Sequence, residues 1–254
     1  MATHLTKLAL IVEYDGTAYR GFQAQANGPT VQSGLERAIH AFTGETLRVT
    51  CASRTDAGVH ATGQVVSFLT ASKHGPTTFR RALNHHLPED IVVREAHVAL
   101  PAFHVQRDAT GREYRYLVLN RKVPSPLLRT RALWLAKPLD VGRMNDAAAT
   151  LLGERDFTPF AGAWASTERS TLKTLTRAQW SREGDLVRFD VAGNSFLYQQ
   201  VRRIVGALLE VGTGKTTLKA FSALANGDKR SAGPVAPPQG LYLTKVAYNE
   251  WPPR

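Results

Sequence analysis

The residues best suited to chemistry stand together in the string Ser53-Arg54-Thr55-Asp56-Ala57-Gly58-Val59-His60. A carboxylate such as Asp56 acts as a nucleophile or a general base once it is held at the rim of a cleft. Arg54, two residues earlier, can favour the ionised carboxylate or reach a phosphate. Gly58 gives the backbone room to turn. Asp and Gly also fill hairpin turns for backbone reasons alone, and on composition the string reads as a turn.

Other candidates carry less. Gly212-Thr213-Gly214-Lys215-Thr216-Thr217 has the ending of a P-loop, but Leu209 stands where its first glycine belongs. It also follows a helical pattern rather than a strand, so the P-loop is rejected. His85, His86, His97 and His104 lack the spacing of a metal-ligand set and are expected at the surface or at helix ends. Cys51 is the only cysteine. That excludes an intrachain disulfide and a multi-cysteine metal site, and Cys51 is expected to be a small buried residue near Asp56.

The loop needs elements to hold it. Lys7 to Tyr14 alternates as a strand. Thr30 is placed to cap a helix whose apolar face is Val31, Leu35, Ala38, Ile39 and Phe42, stopped by Gly44. Leu47 to Ala52 and Gln64 to Leu69 read as strands on either side of the Asp56 string. A helix over Thr77 to His86 and a strand over Ile91 to Ala99 complete a β-α-β-β-α-β order. The second half is expected to hold strands at Arg112 to Leu119 and Leu128 to Leu135, and a helix at Asp140 to Leu152. A hairpin over Thr171 to Ser181 and Leu186 to Ala192 follows. Helices at Phe196 to Val211 and Thr216 to Ala225, and a strand at Leu241 to Tyr248, close the chain. Two such runs suggest a duplicated ferredoxin-like module, α/β in class, with domains at 1–105 and 106–254. The boundary falls near Pro101 to Arg107, and the Gly233 to Pro238 stretch reads as an extended loop.

The formal net charge is +11 on 254 residues, which points to a polyanionic partner. The excess is uneven. Residues 1–105 hold nine basic and eight acidic side chains, whereas residues 106–254 hold 23 and 13. The second half is therefore expected to carry the electrostatic footprint for a nucleic acid. No signal-peptide run or membrane-length apolar stretch is present in the sequence, so a soluble, cytoplasmic protein is expected.

The string Ser53 to Val65, with its Arg54-Thr55-Asp56-Ala57-Gly58-Val59-His60 core, resembles the signature of the tRNA pseudouridine synthase A family. Further segments match in order: Tyr14-Asp15-Gly16-Thr17 with Gly21-Phe22-Gln23, Thr30-Val31-Gln32, and Arg112-Glu113-Tyr114-Arg115-Tyr116. Phe196-Leu197-Tyr198 running into Val201-Arg202, and Ala236-Pro237-Pro238-Gln239-Gly240-Leu241-Tyr242-Leu243, complete the set. The resemblance runs nearly end to end. Gln200 stands where the family often has methionine, and Lys173 where it often has arginine; neither touches the implied chemistry.

The resemblance implies an isomerase that converts uridine to pseudouridine in the anticodon stem-loop of tRNA. It implies two ferredoxin-like subdomains, with mainly antiparallel sheets, joined around a central basic cleft. Asp56 takes the place of the catalytic aspartate, Tyr114 that of an active-site tyrosine stacked on the target base, and Arg202 that of an arginine paired with the carboxylate. Arg54 would fill the gap left by the extruded nucleotide or bind its phosphate, and Leu241 would wall the pocket. Family members are cofactor-free homodimers. Two rivals remain at this point. A non-catalytic RNA-binding module would use surface aromatics on a similar sheet. A zinc-dependent deaminase is disfavoured, because its usual metal set needs more than one cysteine.

Overall fold

The computed structural model describes residues 5–162, 170–227 and 232–251. The chain divides into two compact units, Met1–Thr110 with Leu243–Arg254, and Gly111–Tyr242.

The first unit contains strand β1 (Thr6–Tyr14), helix α1 (Val31–Thr43), β2 (Thr50–Cys51), β3 (His60–Thr70), α2 (Pro76–His86) and β4 (Ile91–Ala99). Strand β1 lies between β3 and β4, antiparallel to both, and β2 pairs with β3. The β4-β1-β3-β2 order with two helices is the ferredoxin-like arrangement. Alternation along β1 buries Leu8, Leu10, Val12 and Tyr14. Helix α1 starts at a capping box, in which Thr30 accepts from the Ser33 amide and Ser33 accepts from the Thr30 amide. Its buried face, Val31, Leu35, Ala38 and Ile39, is the one the spacing marks. In α2, buried Phe79 meets Phe42 edge-on at 5.2 Å and Phe68 at 5.9 Å. Truncating so buried a ring costs about 3–5 kcal/mol.

The second unit is built from β5 (Ala109–Leu119), β6 (Leu133–Trp134), α3 (Val141–Ala149), β7 (Gly153–Asp156), β8 (Leu172–Glu183), β9 (Leu186–Gly193), α4 (Gln200–Gly212) and α5 (Leu218–Ala225). Its sheet runs β5-β9-β8-β7, antiparallel throughout, with two residues of β6 added parallel to β5. Helix α3 packs on β8 and α4. Trp180 of β8 stacks on Phe189 of β9 at 4.8 Å. The last strand, β10 (Leu241–Tyr248), belongs to the first unit from Leu243 onward and runs beside β3 there. The mixed α/β, mainly antiparallel architecture expected from the sequence is thus what the chain adopts.

Several elements differ from expectation: β7 was not expected, and β3 starts at His60 rather than Gln64. Residues 47–49 leave the ladder because the Val49 amide donates to Glu36 on α1, so only Thr50–Cys51 pair. Residues 128–132 form turns, with the Arg131 and Ala132 amides both donating to Leu128, and only Leu133–Trp134 are strand. Helix α4 begins at Gln200, not Phe196. Gln199 takes a left-handed conformation at φ 59°, and the Gln200 side chain accepts from the Leu197 amide, which ends the helix on that side.

Candidate active site

Asp56 sits half-buried on the loop 52–59 that joins β2 to β3, with Arg54 exposed beside it. Short as it is, this loop is gripped from several sides. The Ala52 amide donates to Val65, and the Gln64 side-chain amide donates to the Ser53 carbonyl at 2.5 Å, fastening the loop's start to β3. Thr55 is buried; its hydroxyl shares a 2.7 Å hydrogen bond with the Tyr14 phenol, and its carbonyl accepts from the Phe22 amide at 3.1 Å. After Asp56 the chain turns tightly. The Val59 amide donates back to the Asp56 carbonyl at 3.1 Å, with Gly58 at φ 76°.

The grip extends outward to α1. Gln32 donates its amide to the Phe22 carbonyl and accepts from the Ala24 amide through its side chain. Val31 donates to the Gly21 carbonyl. The helix start thus fixes residues 21–24, and those fix Thr55. Gly21 has φ 97°, and a Cβ there would lie 2.6 Å from the Thr55 carbonyl oxygen, so no other residue type fits without displacing the loop. At the loop's far end His60 is buried, its Nδ1 3.0 Å from Asp15 Oδ1 and 3.1 Å from the Gly16 amide. According to its tautomer, that nitrogen donates to the carboxylate or accepts from the amide.

Cys51 is buried as the sequence suggested. Burial pushes its thiol up to about 12, against the opposing pull of Arg54. It is therefore a neutral packing residue, not a nucleophile.

In the second unit the segments singled out by sequence again meet. Tyr114 on β5 is buried, its ring edge-on to Phe196 at 5.2 Å and 85°. Arg112 donates to the Asn194 carbonyl at 2.9 Å. Arg202, in the first turn of α4, donates from Nε to the Ala236 carbonyl at 2.7 Å, while the Ala236 amide donates to the Arg202 carbonyl at 3.0 Å. Next along the chain, the Pro237 carbonyl accepts from the Tyr116 phenol at 2.8 Å. Burial raises the Tyr116 phenol well above its ordinary range, with the Arg202 charge acting in the opposite sense. Gly240 lies against the Tyr116 ring, and a Cβ there would be 2.7 Å from the ring's Cζ. Leu241, which follows at the start of β10, is buried.

Each unit therefore gathers its own share of the residues proposed from sequence: Asp56 and Arg54 in the first, Tyr114, Arg202 and Leu241 in the second. Sequence reasoning assigned no role to Tyr14, Thr55, Gln32 or Tyr116. All four lie in the matched segments, and that membership was the available signal. Among the described residues, no three His, Cys, Asp or Glu side chains form a metal-holding group. None of the described helices is long and apolar enough to cross a membrane.

Known proteins resemble this chain through most of its length. A model of the family described as tRNA pseudouridine synthase matches residues 10–106 and 147–249. The tRNA pseudouridine synthase A of Neisseria meningitidis serogroup C is 46% identical over 244 residues, covering 95% of this chain and 92% of its own. The same-named protein of Acetivibrio thermocellus is 44% identical over 245 residues, 96% of this chain and all of its own. That of Chloroflexus aurantiacus is 45% identical over 249 residues, 95% of this chain and 88% of its own. Likeness at this level reaches through both units and includes every segment that braces the Asp56 loop, so the chain belongs to the tRNA pseudouridine synthase family.

Proposed function

We propose that this protein isomerises uridine to pseudouridine in the anticodon stem-loop of tRNA, with Asp56 as the catalytic carboxylate. The observation that carries the proposal is a convergence. The first unit's matched segments, at residues 14–17, 21–23, 30–32 and 64–65, all bear directly or through one another on the single loop that presents Asp56.

The reaction breaks the bond from ribose C1′ to uracil N1 and makes one from C1′ to C5. Hydrogen leaves C5 for solvent and N1 gains one, so the product has the composition of its parent and no co-reactant is consumed. Asp56 attacks the base, attacks C1′, or removes a ribose proton to give a glycal. All three routes need an ionised carboxylate beside a nucleotide extruded from its stack.

Tyr114 is proposed as the aromatic that stacks on the target base, and Arg202 as the arginine that serves the carboxylate. Arg54, exposed next to Asp56, is proposed to hold the gap or phosphate of the extruded nucleotide, and Leu241 to wall the pocket. These roles rest on the family pattern and on each residue's setting within its own unit. The same pattern supports a homodimer, working in the cytoplasm on tRNA without a cofactor. Incubating purified protein with an unmodified tRNA transcript, then mapping pseudouridine chemically, tests the proposal. Product in the anticodon stem-loop is expected; a transcript left unmodified contradicts it.

A further inference from the structure

Tyr14 ends the row of buried β1 side chains, after Leu8, Leu10 and Val12. If packing were its only task, its hydroxyl would be a liability there, because a buried polar group must find a partner. It finds one in Thr55 Oγ1 at 2.7 Å, 41 residues further along the chain. The local ladder is adjusted where this happens. Val12 pairs with Gln64 but Tyr14 pairs with Ala61, so β3 carries one extra residue opposite the end of β1. Irregularities of this kind re-aim a side chain, and they favour sites of function.

Thr55 is the residue immediately before Asp56. Its carbonyl is held by the Phe22 amide and its hydroxyl by Tyr14, so it is fixed through main chain and side chain at once. The Tyr14 ring is steadied in turn by Phe22, 6.3 Å away at 48°. Backbone bonds alone leave a short loop free to pivot about its chain axis. A side-chain bond on the adjoining residue removes that freedom.

We infer that Tyr14 is a positioning residue for Asp56, acting through Thr55. The inference rests on the assignment of Asp56 as the catalytic carboxylate. Losing the bond lets the loop relax, and a displacement of about 1 Å at a reacting group costs up to about a hundredfold in rate. Binding of the tRNA, spread over many phosphates, is left intact.

The test is a double-mutant cycle on the full-length protein, using Tyr14→Phe, Thr55→Val, the pair together, and Thr55→Ser, with Asp56→Asn as reference. Tritium release from tRNA labelled at uracil C5 gives kcat and KM, and thermal unfolding is followed alongside. Tyr14→Phe and Thr55→Val are each expected to lower kcat about tenfold or more with KM unchanged. The double variant should be no slower than the slower single, and Thr55→Ser, which keeps the hydroxyl, should recover most of the rate. An inactive Asp56→Asn beside a fully active Tyr14→Phe overturns the inference while sparing the catalytic assignment. So do additive losses, or a Thr55→Ser as slow as Thr55→Val. A fully active Asp56→Asn instead overturns the catalytic assignment itself.

Discussion

Gly21 lies beneath the Thr55 carbonyl so closely that a single added methyl group would stand 2.6 Å from its oxygen. With φ at 97°, position 21 also penalises any L side chain. Gly21→Ala is therefore expected to lower the free energy of unfolding by about 1–3 kcal/mol. Because the strain falls on the residue before Asp56, turnover should fall further than stability accounts for. Denaturant unfolding and tritium-release kinetics on the same preparation check both halves of this prediction.

Arg202 grips Ala236 through Nε and through its own carbonyl. A lysine keeps the charge but loses the planar guanidinium whose Nε makes the bond to Ala236. On the proposed role of Arg202 beside the carboxylate, Arg202→Lys is expected to reduce kcat by about a hundredfold, the scale of losing one charge-stabilising donor, with folding retained. Turnover measured against circular dichroism would reveal a purely structural role, in which both signals fall together.

Cys51 supplies a pH prediction. Its folded thiol is pushed to about 12 by burial, above the ordinary thiol value of about 8.5. A group raised on folding stabilises fully below its unfolded pKa and loses that contribution as pH rises toward the folded value. Stability should therefore decline from about pH 8.5 upward. Other groups titrate in that range, so the informative quantity is the difference between wild type and Cys51→Ala in unfolding free energy, measured from pH 7 to 10. The gap should shift in favour of the variant as pH rises.

Salt should weaken tRNA binding steeply. With a net charge of +11, mostly in residues 106–254, phosphate neutralisation releases counterions, and log affinity falls linearly with log salt. Filter binding between 50 and 200 mM salt, a span over which 6–10 phosphate contacts cost roughly 10³–10⁵ in affinity, checks this. A flat response contradicts the expected electrostatic footprint.

Much of the fold was legible because apolar spacing along β1, α1, α2 and β4 reports directly which faces are buried. It misled where apolar residues are not buried. Leu127 is 87% exposed just before the expected Leu128 to Leu135 strand, and residues 128–132 turn instead. Phe196, Leu197 and Tyr198 continue the helical pattern of α4 but lie before its start, because Phe196 meets Tyr114 on another element. Asp56 was legible only through its surrounding motif, since Asp and Gly in a short loop also read as a turn. Tyr14 could not be picked out, because a tyrosine ending an amphipathic strand reads as core. Its contact with Thr55 is a tertiary fact that no local pattern encodes.

The most direct measurement is the release of tritium from tRNA labelled at uracil C5, in a single turnover with enzyme in excess, comparing wild type with Asp56→Asn and measuring tRNA affinity for both. The account predicts release by wild type, background release by Asp56→Asn, and the same affinity for each. Equal release by the two proteins, or none by wild type, would contradict it.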